Sequence, residues 1–280
     1  MTVENILFIV VIYEKKPNQS RTLISLSKLS LDKIKVYLYD NSSTNENEKL
    51  VSHYQNLNII YRSNPSNPGI CTAYNSGIKL AKELKLDWVM LLDDDTDLTI
   101  DFIGKVINID LKKISKKVVG FVPTVVSHKT NRAISPKKYH PGGFLTNIKE
   151  NYGELLNHIS AINSASLINV NFVEEIGGFN SLYNLDMLDY WFYREVYNKN
   201  KKIYLLDTTI FHSLSVDDKT NYVPIKRYKA LLLAEKRFFL DEGTKSFLFY
   251  KSRLVVRSLK QLAFRNPSHF FLTMKSFLGL

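Results

Sequence analysis

The stretch "MLLDDDTDLTI" (residues 90–100) sets Asp93, Asp94 and Asp95 side by side at the end of an apolar run. Extended upstream as "DWVMLLD" (87–93), the run reads as a buried strand giving way to a loop. Three adjacent carboxylates repel one another, so the cluster is costly unless a cation or strong donors offset it. Side chains alternate along a strand, which sends Asp93 and Asp95 one way and Asp94 the other. Two hard oxygen donors so spaced suit divalent magnesium or manganese, with phosphate oxygens completing the shell. A single Asp after a strand is an ordinary cap or turn residue. Three in succession call for a ligand, and a diphosphate fits.

Outward from this stretch, apolar runs rich in β-branched residues alternate with helix-like segments. "ILFIVVIY" (6–13) reads as a strand followed by a helix at 17–30, and "KVYLYD" (35–40) as a strand followed by a helix at 43–55. "LNIIYR" (57–62) is a short strand before a longer helix at 71–85. This βαβα order with fully apolar strands predicts a parallel sheet covered on both faces. Ligands of such sheets bind beyond the carboxyl ends of the strands. The ends "YEKKPN" (13–18), "YDNSS" (39–43) and "LDDDTD" (92–97) put Glu14, Asp40, Asn41 and the aspartates on one rim.

Downstream, "VVGFVPTVV" (118–126) reads as a strand, 127–158 as loop-rich, and "SAINSASLIN" (160–169) as another strand. A helix at 171–176 runs into the turn "GGF" (177–179), then 185–199 reads as a helix and "KIYLLDTTIFH" (202–212) as a last strand. The expected architecture is α/β: a mixed, mostly parallel sheet between helices over 1–215, with a C-terminal helical extension over 216–280. Residues to about 100 carry the regular alternation, and the order becomes less regular over 101–215.

The 280 residues, 45% hydrophobic and 12% aromatic, predict a sizeable core and exclude a mostly disordered chain. The single Cys71 excludes an internal disulfide framework and a Cys-based zinc site, and it fits a reducing compartment. The start "MTVENILFIVVIYEKKP" has an acid ahead of its apolar run and no basic n-region, so it reads as a first strand rather than a signal peptide. The run is also too short to span a bilayer. A cytoplasmic protein is expected. Of the net charge of +11, residues 226–280 carry +9, with 12 Lys or Arg against 3 Asp or Glu. So basic and aromatic a tail suggests an anionic partner, a membrane surface or a nucleic acid.

Other motifs carry two readings each. Asp40 in "YDNSS" can accept the imide N–H of uracil or thymine, or close an Asx turn. "NPSNPGICTAYNSG" (64–77) lacks the Gly-Lys-Ser/Thr of a phosphate loop. There Asn67, Gly69 and Asn75 are candidate nucleotide contacts or turn residues, and Gly69 lets backbone approach something closely. "NLDMLDYW" (184–191) sets Asp186 and Asp189 at i and i+3. Asp186 suits a helix cap. Asp189, beside Tyr190 and Trp191, suits a general base in an aromatic acceptor pocket. His212 ends its strand as the aspartates end theirs, and can complete an Asp/Asp metal site.

In this order, "VVIYEKKP", "YDNSS", "NPGICTAYNSG", "LLDDDT", "INSASLI", "EEIGGFN", "LDMLDYWFYREVY" and "KIYLLDTTIFHSLSV" resemble the successive blocks of family 2 glycosyltransferases, which have the GT-A nucleotide-sugar fold. The resemblance covers roughly residues 5–240 and is closest to the bacterial rhamnosyltransferase branch. It implies that Tyr13 and Glu14 lie near the nucleobase and ribose, with Asp40 on the base and Asp94 in the nucleotide site. It also implies that Asp93 and Asp95 bind manganese or magnesium, joined by His212, that Asp189 is the general base, and that Ser164, Tyr190 and Trp191 line the acceptor pocket. Three positions depart from the branch: Asp94 stands for a frequent Gln, Trp191 for a frequent Glu, and Ala165 for a frequent Gly. The implied reaction is inverting, metal-dependent transfer from dTDP-rhamnose or a UDP-hexose to a glycan or lipid-linked acceptor in bacterial surface-polysaccharide synthesis.

Lys219 and Arg227 are candidates for a lid over the diphosphate. At 245–265, Leu248, Val255, Leu259 and Leu262 fall on one helical face, with Lys251, Arg253, Arg257 and Lys260 mostly elsewhere. Such a helix can pack on the domain, meet a partner subunit such as a second copy, or lie peripherally on the inner face of the plasma membrane. A sugar nucleotidyltransferase would need a glycine-rich basic signature that "VVIYEKKPNQSRT" lacks. A nucleic-acid-binding module would use the tail without the aspartates, and no nucleic-acid partner is expected.

Overall fold

The computed structural model describes residues 1–29, 34–150, 152–212, 223–264 and 266–279. Strands β1 (Ile6–Ile12), β2 (Lys35–Asp40), β3 (Asn58–Ser63) and β4 (Trp88–Asp93) lie parallel in the spatial order β3-β2-β1-β4. Their crossovers carry α1 (Arg21–Lys28), α2 (Glu48–Val51) and α3 (Ile70–Glu83). β1 is almost wholly buried because it is covered on both faces, which is why its run is apolar without alternation.

After β4 the chain forms α4 (Ile100–Ile107), capped by Thr99, whose Oγ1 accepts the Phe102 N–H at 3.1 Å, and then β5 (Val118–Ser127). Residues 133–160, expected to be loop-rich, fold into short strands: β6 (Ala133–Ser135), β7 (Lys137–His140), β8 (Phe144–Asn147), β9 (Gly153–Leu155) and β10 (Ile159–Ser160). Next come β11 (Ser166–Asn169), α5 (Val170–Glu175), α6 (Leu188–Asn198) and β12 (Lys202–His212). β11 inserts antiparallel between β4 and β5, and β12 lies parallel to β5. The main sheet thus runs β3-β2-β1-β4-β11-β5-β12-β9, with β6 on β5, and β10-β7-β8 form a second small sheet.

Three expected elements differ for local reasons. The helix at 17–30 is a 3-10 turn at Pro17–Gln19 followed by α1, because Ser20 caps α1 by accepting the Leu23 N–H at 3.2 Å. The helix at 43–55 shrinks to the single turn α2 because the Asn47 amide is engaged by Asp40 Oδ2 at 2.8 Å and the Lys15 carbonyl at 3.1 Å. The strand at 160–169 is broken between β10 and β11 by a turn in which Ala165 takes φ +64°.

Two cores flank the sheet. One joins Phe8, Val10, Met90 and Leu92 to Leu26 of α1 and Phe102 of α4. The other, rich in aromatic rings, joins Ile9, Tyr39 and Leu91 to Tyr74, Phe179, Trp191 and Phe192. This second core continues into α7 (Ile225–Asp241) and α8 (Thr244–Ala263) through Phe238, Phe239, Tyr250 and Leu254. The extension, completed by α9 (Pro267–Leu278), is therefore docked on the domain. Tyr139 donates to Glu242 at 2.7 Å, Arg194 stacks 4.5 Å over Phe238, and Arg257 pairs through both of its terminal nitrogens with Glu235 at 2.7 and 2.8 Å. The inward face of α8 is Tyr250, Leu254, Ser258 and Gln261, while Leu248, Val255, Leu259 and Leu262 face solvent.

Candidate active site

β4 ends where β1 and β11 flank it, and its last residues are held from both sides. The Asp93 N–H donates to Ser164 Oγ at 2.9 Å, and Thr96 Oγ1 pairs with the same oxygen at 2.6 Å. From α1, Thr22 Oγ1 donates to the Asp93 carbonyl at 2.5 Å and Ser20 Oγ to the Asp94 carbonyl at 3.0 Å. The side chains then alternate as expected. Asp94 turns to Lys15, whose Nζ lies 2.7 Å away, while ligand atoms of Asp93, Asp95 and His212 gather within 4.8 Å of one another.

This trio has the composition of a divalent-cation site. Asp95 Oδ1 is buried and accepts no hydrogen bond, and His212 Nδ1 lies 3.4 Å from it. Burial, then the charges of Asp95, Asp189 and Asp94, push the Asp93 carboxyl up to about 8. Two carboxylates and an imidazole suit manganese or magnesium in chemistry. Asp93, Asp95 and His212 would hold the ion.

Asp189 lies in the first turn of α6, entered through Met187 at φ +67°. Burial is the main cause that raises its carboxyl to about 7; Asp186 adds to the rise, and the neighbouring Asn163 pulls the other way. The turn at 163–166 thus holds Asp93 through Ser164, and its Asn163 lies beside Asp189. It is anchored by the Ala165 N–H on the Leu91 carbonyl at 2.8 Å, and by the Ser166 N–H on the Asn163 carbonyl at 2.9 Å. The positive φ of Ala165 explains why glycine suits this position.

Several expected contacts have other roles. Ser164, expected at an acceptor pocket, is buried against Asp93 and Thr96, and Trp191 is buried in the aromatic core. Tyr190 is half-buried, edge-on to Tyr139 and Phe238. Asn75 clamps α3 to the turn at 177–179, accepting the Phe179 N–H at 2.7 Å and donating to the Phe179 carbonyl at 2.8 Å. The close approach at Gly69 is to this chain itself. A Cβ there would meet the Asn184 carbonyl oxygen at 2.7 Å, and that oxygen accepts the N–H of Ile70 and Cys71.

Gly69→Ala, at φ +92°, is therefore expected to cost about 1–3 kcal/mol. The shifted 184–189 loop should also lower turnover, which urea melts and initial rates together would reveal.

The rim at the strand ends is partly closed on itself. Asp40 is fully buried and accepts from the Ser42 N–H, the Asn47 amide and the Tyr61 hydroxyl, each at 2.8 Å. Glu14, at φ +48°, accepts the Ser43 N–H at 2.9 Å, and Tyr13 and Asn67 are exposed. Arg227 lies 3.7 Å from Asp186, and both line an open groove of about 580 Å3 between the loop before α6 and α7. Lys219 lies outside the described residues. Residues that sequence reasoning missed are Lys15, Ser20, Thr22 and Thr96, which fix the aspartates, and Asn163, whose buried side-chain oxygen and nitrogen make no hydrogen bond among the described residues. Lys15 had a signal, a cation at a strand end on the same rim, whereas the others had none.

Asp93 and Asp189 hold protons in the folded chain at pH values where the unfolded chain has lost them. Metal-free protein should thus lose stability as pH rises from about 4 to about 8. Manganese should raise the Tm by about 5 °C near pH 8 and have little effect near pH 5. Thermal melts with manganese or EDTA at both pH values check this.

Solved structures share this architecture. S. aureus TarS is 17% identical, with a TM-score of 0.55 over 84% of this chain and 39% of its own. GalNAc-T7 with UDP, GalNAc and Mn2+ is 12% identical, with a TM-score of 0.60 over 84% of this chain and 49% of its own. The mannosyltransferase PcManGT from Pyrobaculum calidifontis, in complex with GDP-Man and Mn2+, is 14% identical, with a TM-score of 0.55 over 97% of this chain and 73% of its own. The chain spans about two-fifths of the length of TarS. No curated protein gave a significant match. The fold is the GT-A fold of glycosyltransferases. The sequence profile of glycosyl transferase family 2 matches residues 7–177, more than half of the chain, and the protein belongs to that family.

Proposed function

We propose that the protein is a metal-dependent, inverting glycosyltransferase that moves a sugar from a nucleoside diphosphate to an acceptor hydroxyl. The observation that carries the reading is the Asp93, Asp95 and His212 cluster with Asp189 near enough to shift its titration. A divalent cation held there would offset the charge developing on the leaving diphosphate. Asp189, its affinity for a proton raised by burial, takes the proton from the acceptor hydroxyl as that oxygen attacks the anomeric carbon. Attack opposite the departing diphosphate is a single displacement and inverts the anomeric centre.

The nucleobase is placed over the rim formed by Tyr13, Glu14, Asp40 and Asn41, and Lys15 steadies the loop between base and metal through Asp94. The leucine-lined groove beside Asp186 and Arg227 is the acceptor's approach to Asp189. Supporting the donor class, GalNAc-T7 was solved with UDP and PcManGT with GDP-Man, both with Mn2+. The motif resemblance favours dTDP-rhamnose or a UDP-hexose as donor and a lipid-linked surface glycan as acceptor. Against a nucleic-acid role, Arg253 and Arg257 of the tail are engaged by the Gly142 carbonyl and Glu235.

Thermal stabilisation against UDP-, dTDP- and GDP-sugars with manganese, magnesium or EDTA tests the reading. One nucleotide class should stabilise the protein in a metal-dependent manner, and product assays with that donor should then show transfer. Absence of stabilisation by any nucleotide under any metal condition would overturn it.

A further inference from the structure

The C-terminal helices expose an apolar stripe to solvent. On α8, Leu248, Phe249, Val255, Val256, Leu259 and Leu262 are 62, 50, 38, 53, 59 and 58% exposed. Their spacing puts them on one helical face, opposite the Tyr250, Leu254, Ser258 and Gln261 side that packs inward. Phe144, 63% exposed, extends the patch, since it shares with Phe249 a shallow apolar pocket of about 480 Å3. Phe271 and Leu278 of α9 are likewise exposed. Burying so many apolar side chains requires an apolar medium or an apolar partner.

Charge selects between the occupants. Lys245 lies at the N-terminal end of the stripe, and Lys251 and Lys260 run along its two borders. No Asp or Glu occurs from Gly243 to Leu280, against seven Lys or Arg. A second copy docked on this face by a two-fold axis would match leucine to leucine and also set these cations against each other, with no acid to relieve them. A nucleic acid would answer the lysines and leave the leucines in water. An anionic lipid surface answers both, taking the apolar stripe below its headgroups and the lysines among its phosphates. No described helix is long and apolar enough to cross a membrane, so the contact is one made along the surface.

We propose that the exposed face of α8, continued by Phe144, seats the protein on an anionic bilayer. The inference rests on this surface and goes beyond the transfer reaction. The test uses the full chain and sedimentation with vesicles of phosphatidylcholine alone or mixed with phosphatidylglycerol. The chain should sediment with the mixed vesicles, release as salt is raised, and stay in solution with the neutral ones. The double variant Leu259→Glu, Leu262→Glu should lower partitioning at least about tenfold, and Lys245→Glu with Lys260→Glu by about tenfold. These positions are exposed, so the parent's Tm and nucleotide-induced stabilisation should be kept. Failure of the parent chain to bind mixed vesicles overturns the proposal, as does unchanged partitioning of folded variants. Self-association without vesicles, abolished by the leucine variant in sedimentation velocity, would overturn it in favour of a second copy.

Discussion

Asp95→Asn is expected to reduce sugar transfer by at least about a thousandfold and to abolish the metal dependence of nucleotide binding. The substitution keeps the side chain's shape and removes the charge of a carboxylate whose buried Oδ1 accepts no hydrogen bond. Asp93 loses its largest like-charge neighbour, so in EDTA the variant should be as stable as the parent or more so near pH 8. Initial rates and manganese titrations followed by Tm measure both effects. Normal turnover in the variant would sink the cation assignment, and a lowered Tm in EDTA would show Asp95 to be an ordinary structural acceptor.

Asp189→Asn should separate binding from chemistry. Turnover is expected to fall by about 10²–10⁴-fold, as for loss of a positioned general base, while the donor still stabilises the protein to the parent's extent. In the parent, the base must be ionised to accept a proton and its carboxyl is raised to about 7. The rate should therefore fall about tenfold per pH unit on the acid side of that value. A cation held by Asp93, Asp95 and His212 would move the limb to lower pH, since positive charge nearby favours the ionised carboxylate. Residual activity in the Asn variant should lose this limb. A variant that no longer binds donor would instead assign Asp189 to the architecture of α6.

The elements that could be read from sequence are those whose signal is local. Strands β1, β2 and β4 are apolar over most of their length because both faces are covered, and the opposite directions of Asp94 and of Asp93 with Asp95 continue the strand's alternation into the turn that follows it. His212 was legible as a candidate because it, too, ends a strand. The strands between 133 and 160 are two to four residues long, too short to show an alternation, and β9 in addition finds its partner, β12, far along the chain, while β6, β7 and β8 pair with near neighbours. The break before β11 depends on one residue's backbone at Ala165. On α8 the usual inference inverts. Periodic leucines normally mark the buried side, but here the inward side is held by Tyr250, Leu254 and a polar network, Gln261 donating to Tyr228 at 2.8 Å and accepting from Thr273 at 2.7 Å. Asn75 and Gly69 carried the chemistry of ligand contacts, and instead tie α3 to loops a hundred residues away.

The turn at 163–166 hydrogen-bonds to the end of β4 at Asp93 and lies beside Asp189 in the first turn of α6. If the proposed reaction holds, it would act as a caliper: its jaws are Ser164, which holds Asp93, and Asn163, which lies beside Asp189, and their opening would set how far the departing group stands from the attacking oxygen. Among the described residues, neither jaw is a hydrogen-bond partner of Glu14 or Asp40, and neither lines the leucine-lined groove. Donor and acceptor preferences can consequently drift through changes in those outer surfaces, while the span over which one bond breaks and another forms keeps its length.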